Sequence, residues 1–390
     1  MQNKTTFFII GNPGNNIGDI SALEGMIYGL KKFIPNSNIY VSYSNYINIE
    51  NIKENVNQFF KDEKFFSSKS FLLFFILFAL GIKNDLNRAI RKTDIIIFAP
   101  GACGLHEKNF LHWIKILFFV ICFKRLKKKI VFHACSMGPF SSHKNILSSI
   151  LKRIDLITLR DKTSLKYLKD FGISISNITI AADSALMIPT ERSFNRILTD
   201  SLSIGLTPVD MDDFNFEGLD KKNTLQIDCY VNVILYLSQQ YKINEIRFLK
   251  HIINSEKEDA MINKIERKLS LSGINTVILN SKTPEEAFAE YSKLDFCISA
   301  RHHGGAFSLK SGVPAICIGY EHKALGFFEQ CNLDDYVIDI SNLSVDGLKE
   351  KVDLLLSKYK EVVEIIEQNM PVMEDNATIT PRKILELIST

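Results

Sequence analysis

The chain has 390 residues, enough for two domains that each bury a core of their own. Charged residues make up 23% and the formal net charge is only +3, which argues against a nucleic-acid partner held by bulk charge. The 28 Phe and a mean hydropathy of +0.04 are high for a soluble chain and direct attention to membrane-facing surfaces.

The first residues, "MQNKTTFFIIGNPG", pass from a polar start into a strand at 5–11, with no signal-peptide pattern. A helix is expected at 20–34 and a second strand at 38–44. Further strands fall at "DIIIFAPG" (94–101), "KIVFHACSMG" (129–138), "LITLRD" (156–161) and "NITIAADSA" (177–185). "KTSLKYLKDFG" (162–172) reads as a helix closed by glycine. After a polar stretch at 188–201 the alternation restarts. Strands at 202–209, 245–252, 275–280, 294–298 and within "GVPAICIGY" are separated by helices at 223–241, 256–271 and 284–293. Residues 344–369 and 381–389 read as helices. Near-continuous apolar strands alternating with helices predict parallel sheets covered on both faces. The expected organisation is α/β: a Rossmann-like domain at 1–187, a linker at 188–201 and a second Rossmann-like domain at 202–390, including the C-terminal helices.

Two apolar stretches interrupt the first half, "FLLFFILFALGI" (71–82) and "FLHWIKILFFVICF" (110–123). Both are shorter than the ~20 residues that a membrane span needs. The second is followed by "KRLKKK", so residues 110–129 join an apolar helix to five positive charges. That pairing suits either a buried helix with a solvated turn or contact with an anionic cytoplasmic membrane surface, at about 1 kcal/mol per basic residue. The seven cysteines (103, 122, 135, 229, 297, 317 and 331) form no CxxC pair and sit mostly in apolar runs. This usage suits thiols in a reducing cytoplasm and gives no reason to expect zinc or any other metal.

Three strand ends carry candidate chemistry. "GNPGNNIGD" (11–19) offers Gly14, Asn15, Asn16, Gly18 and Asp19 in a loop leading to a helix, where backbone N–H groups receive anions. Its spacing matches neither the P-loop nor the dinucleotide fingerprint. Asp19 stands where a helix N-cap is expected. "APGACGLHE" (99–107) adds Gly101 and His106, a loop histidine that either reaches a ligand or is merely solvated. His133 in "HACSMGPF" reads more readily as a sheet residue than as a catalyst. Arg160 ends a strand beside Asp161, a probable cap for the following helix. Its planar fork suits a carboxylate or phosphate, and a structural Arg–Asp pair is the competing reading.

The most specific stretch is "SARHHGGAFSLKSGVPAICIGYEHK" (299–323). Arg301, His302 and His303 follow an apolar strand and precede Gly304, so a cationic, titratable cluster stands at a strand's carboxyl end, where open α/β sheets bind ligands. A histidine titrates near neutrality and can give or take a proton. Arg301 and Lys323 supply fixed positive charge.

In order along the chain, "GNPGNNIGD", "DIIIFAPGACG", "SMGPF", "LITLRDKTSLKYLKDFGI", "ITIAADSALMI" and "SARHHGGAFSLKSGVPAICIGYEHKALGFFE" resemble the polysaccharide pyruvyl transferase family. The resemblance runs from residue 11 to about 330. It implies a GT-B-like fold, with two Rossmann-like domains whose parallel sheets face a central cleft. It also implies transfer of pyruvate from phosphoenolpyruvate to a hydroxyl pair on a surface polysaccharide or its lipid-linked precursor, forming a ketal. Carried onto this chain, it makes His303 the acid and Arg301 an anion clamp. Arg160, His302, Gly304 and Lys323 become further donor contacts, and the 11–19 loop with Gly101 and His106 lies on the acceptor side. Phosphoenolpyruvate is then a co-substrate, no other cofactor or metal is needed, and the site of action is the cytoplasm, either free or peripheral at the inner membrane face. A nucleotide-sugar-dependent glycosyltransferase on the same fold is the alternative; Glu321 is available there for ribose hydroxyls. A non-catalytic carbohydrate or lipid-carrier binder would have little use for a proton donor.

Overall fold

The structure is a computed structural model and describes residues 4–11, 14–43, 50–61, 85–100, 105, 110–211 and 219–389. The chain forms two units. The first comprises residues 1–15, 19–188 and 374–390, and the second comprises 16–18 and 189–373.

In the first unit the described strands are β1 (Thr6–Ile10), β2 (Asn38–Tyr43), β3 (Gln58–Lys61), β4 (Ile95–Phe98), β5 (Lys129–Cys135), β6 (Leu156–Leu159) and β7 (Ile178–Ile180). They pair in the order β3-β2-β1-β4-β5-β6-β7, every pair parallel. The period-two alternation of side chains explains why these strands are apolar throughout. Phe8, Ile10, Ile96, Phe98 and Phe132 enter one core, and Phe7, Ile9, Ile95, Ile97 and Val131 enter the other. Helix Phe110–Arg125 covers the first core with Trp113, Ile116, Phe119, Val120 and Phe123, while helix Ile17–Phe33 covers the second with Leu23, Met26, Ile27 and Leu30. Helix Lys162–Asp170 ends as expected. Gly172, at φ +68°, donates to Lys169 O, and Ile173 N–H donates to Leu168 O.

The basic run after helix Phe110–Arg125 is largely committed to the fold. Lys124 bonds both Asp155 carboxylate oxygens, at 2.7 and 2.5 Å. Lys128 donates to the carbonyl of Arg91 at 2.7 Å and to that of Thr93, and Lys129 donates to the carbonyl of Leu387. Helices Asp85–Lys92 and Ile379–Ser389 end here, and cations complement the exposed carbonyls of helix C-termini. The outer side of helix Phe110–Arg125 leaves Leu111 69% exposed and Ile114 partly exposed. Among the described residues no helix is long and apolar enough to cross a membrane. The helix expected at 71–82 lies outside the described residues.

The second unit contains β8 (Ser201–Thr207), β9 (Lys242–Leu249), β10 (Thr276–Leu279), β11 (Phe296–Ser299), β12 (Ala315–Gly319) and β13 (Val337–Asp339). Their order, β10-β9-β8-β11-β12-β13, is again wholly parallel. In each sheet the winding reverses between two central strands, β1/β4 and β8/β11. Ligands of doubly wound sheets bind at the carboxyl end of such a switch point.

Several expectations need correction. The last helix, Ile379–Ser389, belongs to the first unit: Ile384 is buried with Phe7, Ile9 and Leu30, and Thr380 bonds Thr158 Oγ at 2.9 Å. An amphipathic helix reads the same in sequence whichever sheet it covers. The helix expected over 344–369 is two, Val345–Ser357 and Tyr359–Ala377. The polar stretch before β8 is anchored within its unit, because Arg196 donates to the carbonyls of Leu294 (2.8 Å) and Ser292 (2.9 Å). Cys135 is disulfide-bonded, whereas thiols alone had been expected; Cys122, Cys229, Cys297, Cys317 and Cys331 are free.

Candidate functional site

The carboxyl end of β11 gathers a group of candidate functional side chains in the second unit. Arg301 is the N-cap residue of helix His302–Lys310, with extended backbone, and Ser299 Oγ donates to its carbonyl at 2.7 Å. The helix starts tight against the sheet: a Cβ at Gly304 would collide with the hydroxyls of Ser299 and Thr207, which bond each other at 2.5 Å. Only glycine permits that approach. Arg301, His302 and His303 are all buried, at 5%, 5% and 7% exposure.

Arg301 Nη2 donates to Glu258 Oε1 at 3.1 Å. The other Glu258 oxygen accepts the backbone N–H of His251 (3.2 Å) and of Ile252 (2.8 Å). Burial pushes the Glu258 carboxyl above its usual range, and Arg301 together with the two N–H donors opposes that shift. His251 Nε2 bonds the Tyr291 hydroxyl at 2.8 Å, and its ring stacks on Phe307 at 5.6 Å. Burial, then the positive field of Arg301, His303 and His302, drives the His251 pKa well below the ordinary value and keeps the ring neutral. The rings of His302 and His303 meet edge-on at 4.9 Å, and His302 also packs edge-on against Phe327 at 5.6 Å.

Residues 16–18 complete this unit. Asn16 pairs with Ile252, Ile17 N–H donates to His251 O at 2.8 Å, and a Cβ at Gly18 would collide with the Nδ1 side of the His303 ring. Asn16, not Asp19, caps the helix that follows: its Oδ1 accepts the Gly18 N–H at 2.9 Å, and the helix begins at Ile17. Lys323 lies in the first turn of helix His322–Gln330, after β12, and pairs with Glu321 at 2.5 Å.

In the first unit the corresponding cluster follows β5 and β6. Arg160 Nε donates to Ser136 Oγ at 2.9 Å, and its Nη1 pairs with Asp183. Ser136 Oγ donates in turn to Asp161 at 2.8 Å, and Asp161 caps helix Lys162–Asp170 by accepting the Ser164 N–H at 2.6 Å. Burial acts to lower the Arg160 pKa, but Asp183, Asp161 and Asp19 outweigh it and hold the guanidinium above its usual value. β5 is bulged between Phe132 and Cys135, with Ala134 in the left-handed region at φ +46° and its N–H on Thr158 Oγ at 2.9 Å. His133, 1% exposed, sits in this bulge, and among the described residues neither ring nitrogen has a hydrogen-bond partner. Burial lowers its pKa to about 4 against the opposing charge of Asp183.

Of the residues singled out in sequence, Arg301, His302, His303, Gly304, Asn16 and Gly18 come together in the second unit, and Lys323 stands one strand over. Arg160, Asp19, Gly14 and Asn15 belong to the first unit, and Gly14 adopts φ +53° with open space around it. Gly101 and His106 lie outside the described residues. Sequence reasoning missed Glu258, His251 and Tyr291. Glu258 had a signal: with Ser255 it forms an S-x-x-E capping box, and Ser255 does accept the Glu258 N–H at 3.2 Å. Its side chain, however, leaves the box for Arg301 and the 251–252 turn.

Two parallel-sheet α/β domains, each doubly wound, define a protein of the GT-B-like class. Solved structures agree over nearly the whole chain. The Anabaena Alr3699/HepE complex with UDP matches 99% of both chains at 10% identity, TM-score 0.58. A glycosyltransferase from Rickettsia africae matches 99% of this chain and 98% of its own at 11% identity, TM-score 0.60. UDP-GlcNAc 2-epimerase from Neisseria meningitidis, bound to UDP-GlcNAc, matches 98% and 100% at 12% identity, TM-score 0.56. These likenesses establish the fold. The family model for polysaccharide pyruvyl transferase matches residues 16–322, and the chain belongs to that family. It is also 21% identical to the amylovoran biosynthesis protein AmsJ of Erwinia amylovora over 260 residues, 62% of this chain and 61% of that protein.

Proposed function

We propose that this protein is a transferase of polysaccharide synthesis that moves the pyruvyl group of phosphoenolpyruvate onto two hydroxyls of a glycan, releasing phosphate and leaving a cyclic ketal. Family membership supports the reaction class. The observation that carries the residue assignment is the Arg301–His303 cluster at the carboxyl end of β11, beside the switch point. In this reading His303 protonates the methylene carbon of the donor, and positive charge develops at the adjacent carbon. A sugar hydroxyl adds there and gives up its proton. The carbon–oxygen bond to phosphate then breaks, and a second hydroxyl closes the ketal with loss of its own proton. Gly18 occupies the Nδ1 side of His303, which leaves Nε2 as the nitrogen for proton delivery. Arg301 takes the donor's negative charge, with Lys323 as a second cation, and the Asn16–Gly18 segment beside His303 is the acceptor contact. Arg160, bonded to Asp183 and Ser136, suits the structural alternative better than a donor contact.

Thermal unfolding tests the donor. Ligand at 100 times its dissociation constant adds about 2.7 kcal/mol. Stabilisation by phosphoenolpyruvate but not by UDP-sugars, absent in Arg301→Ala, is the expected result; stabilisation by UDP-sugars alone would instead favour glycosyl transfer. A lipid-linked acceptor at the inner membrane face is part of the same reading, supported by exposed Leu111 and Ile114 on a helix that ends in basic residues. Co-sedimentation with anionic vesicles should fall when Arg125 and Lys127 are replaced by Gln. Unchanged sedimentation would remove membrane contact from the proposal.

A further inference from the structure

Arg301 is buried, and a guanidinium withdrawn from water needs a fixed counter-charge or it disrupts what surrounds it. The counter-charge comes from a helix 43 residues earlier in the chain, through a single bond from Nη2 to Glu258 Oε1. Among the described residues Arg301 Nε has no hydrogen-bond partner, so donors of the fork remain available for an anion. Glu258 meanwhile grips the turn after β9 through its second oxygen, and that turn carries the His251 carbonyl bonded by Ile17 and the Ile252 bridge to Asn16.

We infer that Glu258 is a positioning residue: it aims Arg301 at the donor's anion and, with its other oxygen, fixes the 251–252 turn that holds residues 16–18 beside His303. Its two oxygens divide the work. One faces a guanidinium and the other faces two backbone N–H groups, so both ends must accept hydrogen bonds. A carboxylate satisfies that demand and an amide does not, because an amide turned to serve the N–H groups points its own NH₂ at Arg301. This inference rests on the proposed function only in taking Arg301 as an anion clamp, and it holds for a carboxylate, a phosphate or a diphosphate alike.

The test compares Glu258→Gln, Glu258→Asp and Arg301→Ala in the full chain. In Glu258→Gln, KM for phosphoenolpyruvate should rise about tenfold or more, the equivalent of one charge-assisted hydrogen bond, with kcat changing far less. Glu258→Asp, which keeps two acceptor oxygens, should recover part of that loss. Adding Glu258→Gln to Arg301→Ala should raise KM no further. A wild-type KM in Glu258→Gln, or an effect fully additive with Arg301→Ala, would overturn the assignment. Were UDP-sugars and not phosphoenolpyruvate to bind the wild type, the proposed donor would fail, and the same series would be read with UDP-glucose. A third readout needs no ligand: the two substitutions should be strongly non-additive in urea unfolding, and additivity there would sink the inference whichever donor is right.

Discussion

Arg160 and Arg301 occupy comparable places. Each follows an interior parallel strand, each is withdrawn from solvent and each is paired with a carboxylate. Their surroundings differ. Arg160 lies in the field of Asp183, Asp161 and Asp19 and is held more firmly protonated than a free arginine. Among the described residues Arg301 pairs with Glu258, and burial, then the charge of Arg301, His303 and His302, drives the pKa of the neighbouring His251 down. The first arginine lies in the field of several carboxylates; the second is bonded to Glu258 and keeps Nε without a hydrogen-bond partner among the described residues. Strand-end position alone therefore does not mark a ligand arginine.

The largest effect that could break this contrast is on stability. Arg160→Ala takes from buried Asp183 its arginine partner and should cost about 3–5 kcal/mol in urea unfolding. A loss under 1 kcal/mol would mean that Arg160 is not structural. Arg301→Ala should lower kcat/KM by about 10²–10³-fold, the scale of losing one preorganised electrostatic contact. Retained turnover would move the anion clamp elsewhere.

Gly18→Ala sharpens the second half of the comparison, because it pushes the His303 ring aside without touching a charge. Displacement on the ångström scale costs about 10²-fold in rate, to be read in kcat with donor KM nearly unchanged. The acid limb of stability probes the first unit. His133 titrates near 6.5 when unfolded and at about 4 when folded, so the unfolded chain binds the extra proton between those values. Its contribution is complete above pH 6.5 and declines as pH falls toward 4, by about 2 kcal/mol at pH 5. His133→Gln should flatten that part of the profile, and an unchanged slope would show that His133 is not its source. The smallest stability effect belongs to Lys323→Ala, whose partly exposed pair with Glu321 contributes under about 1 kcal/mol. Any larger consequence should appear in donor KM.

Much of this arrangement could be read in advance, for local reasons. Arg301 to Gly304 stand between an unmistakable strand and an apolar helix, so their position follows from neighbours in sequence. The Asp161 cap and the Gly172 stop are equally local. The residues that give the two arginines their different characters are distant in sequence, Asp183 from Arg160 and Glu258 from Arg301, and a carboxylate on a surface-patterned helix looks solvated until its partner is known. Asn16 and Asp19 are equally good cap types three positions apart, and the contacts of His251 and Ile252 with Ile17 and Asn16 decide where the helix begins.

The return of helix Ile379–Ser389 to the first sheet has a consequence for how the chain is made. Ile384 fills a core whose other members, from Phe7 to Leu156, are synthesised in the first half of the chain. On the ribosome that core waits, short of one buried side chain and of the Thr158–Thr380 bond, while the whole second unit is translated. The second unit, β8 to β13, has all its strands before the first can close. Folding order is thus set against chain order, and a cut after Met373 would withhold the final piece of the unit that began first.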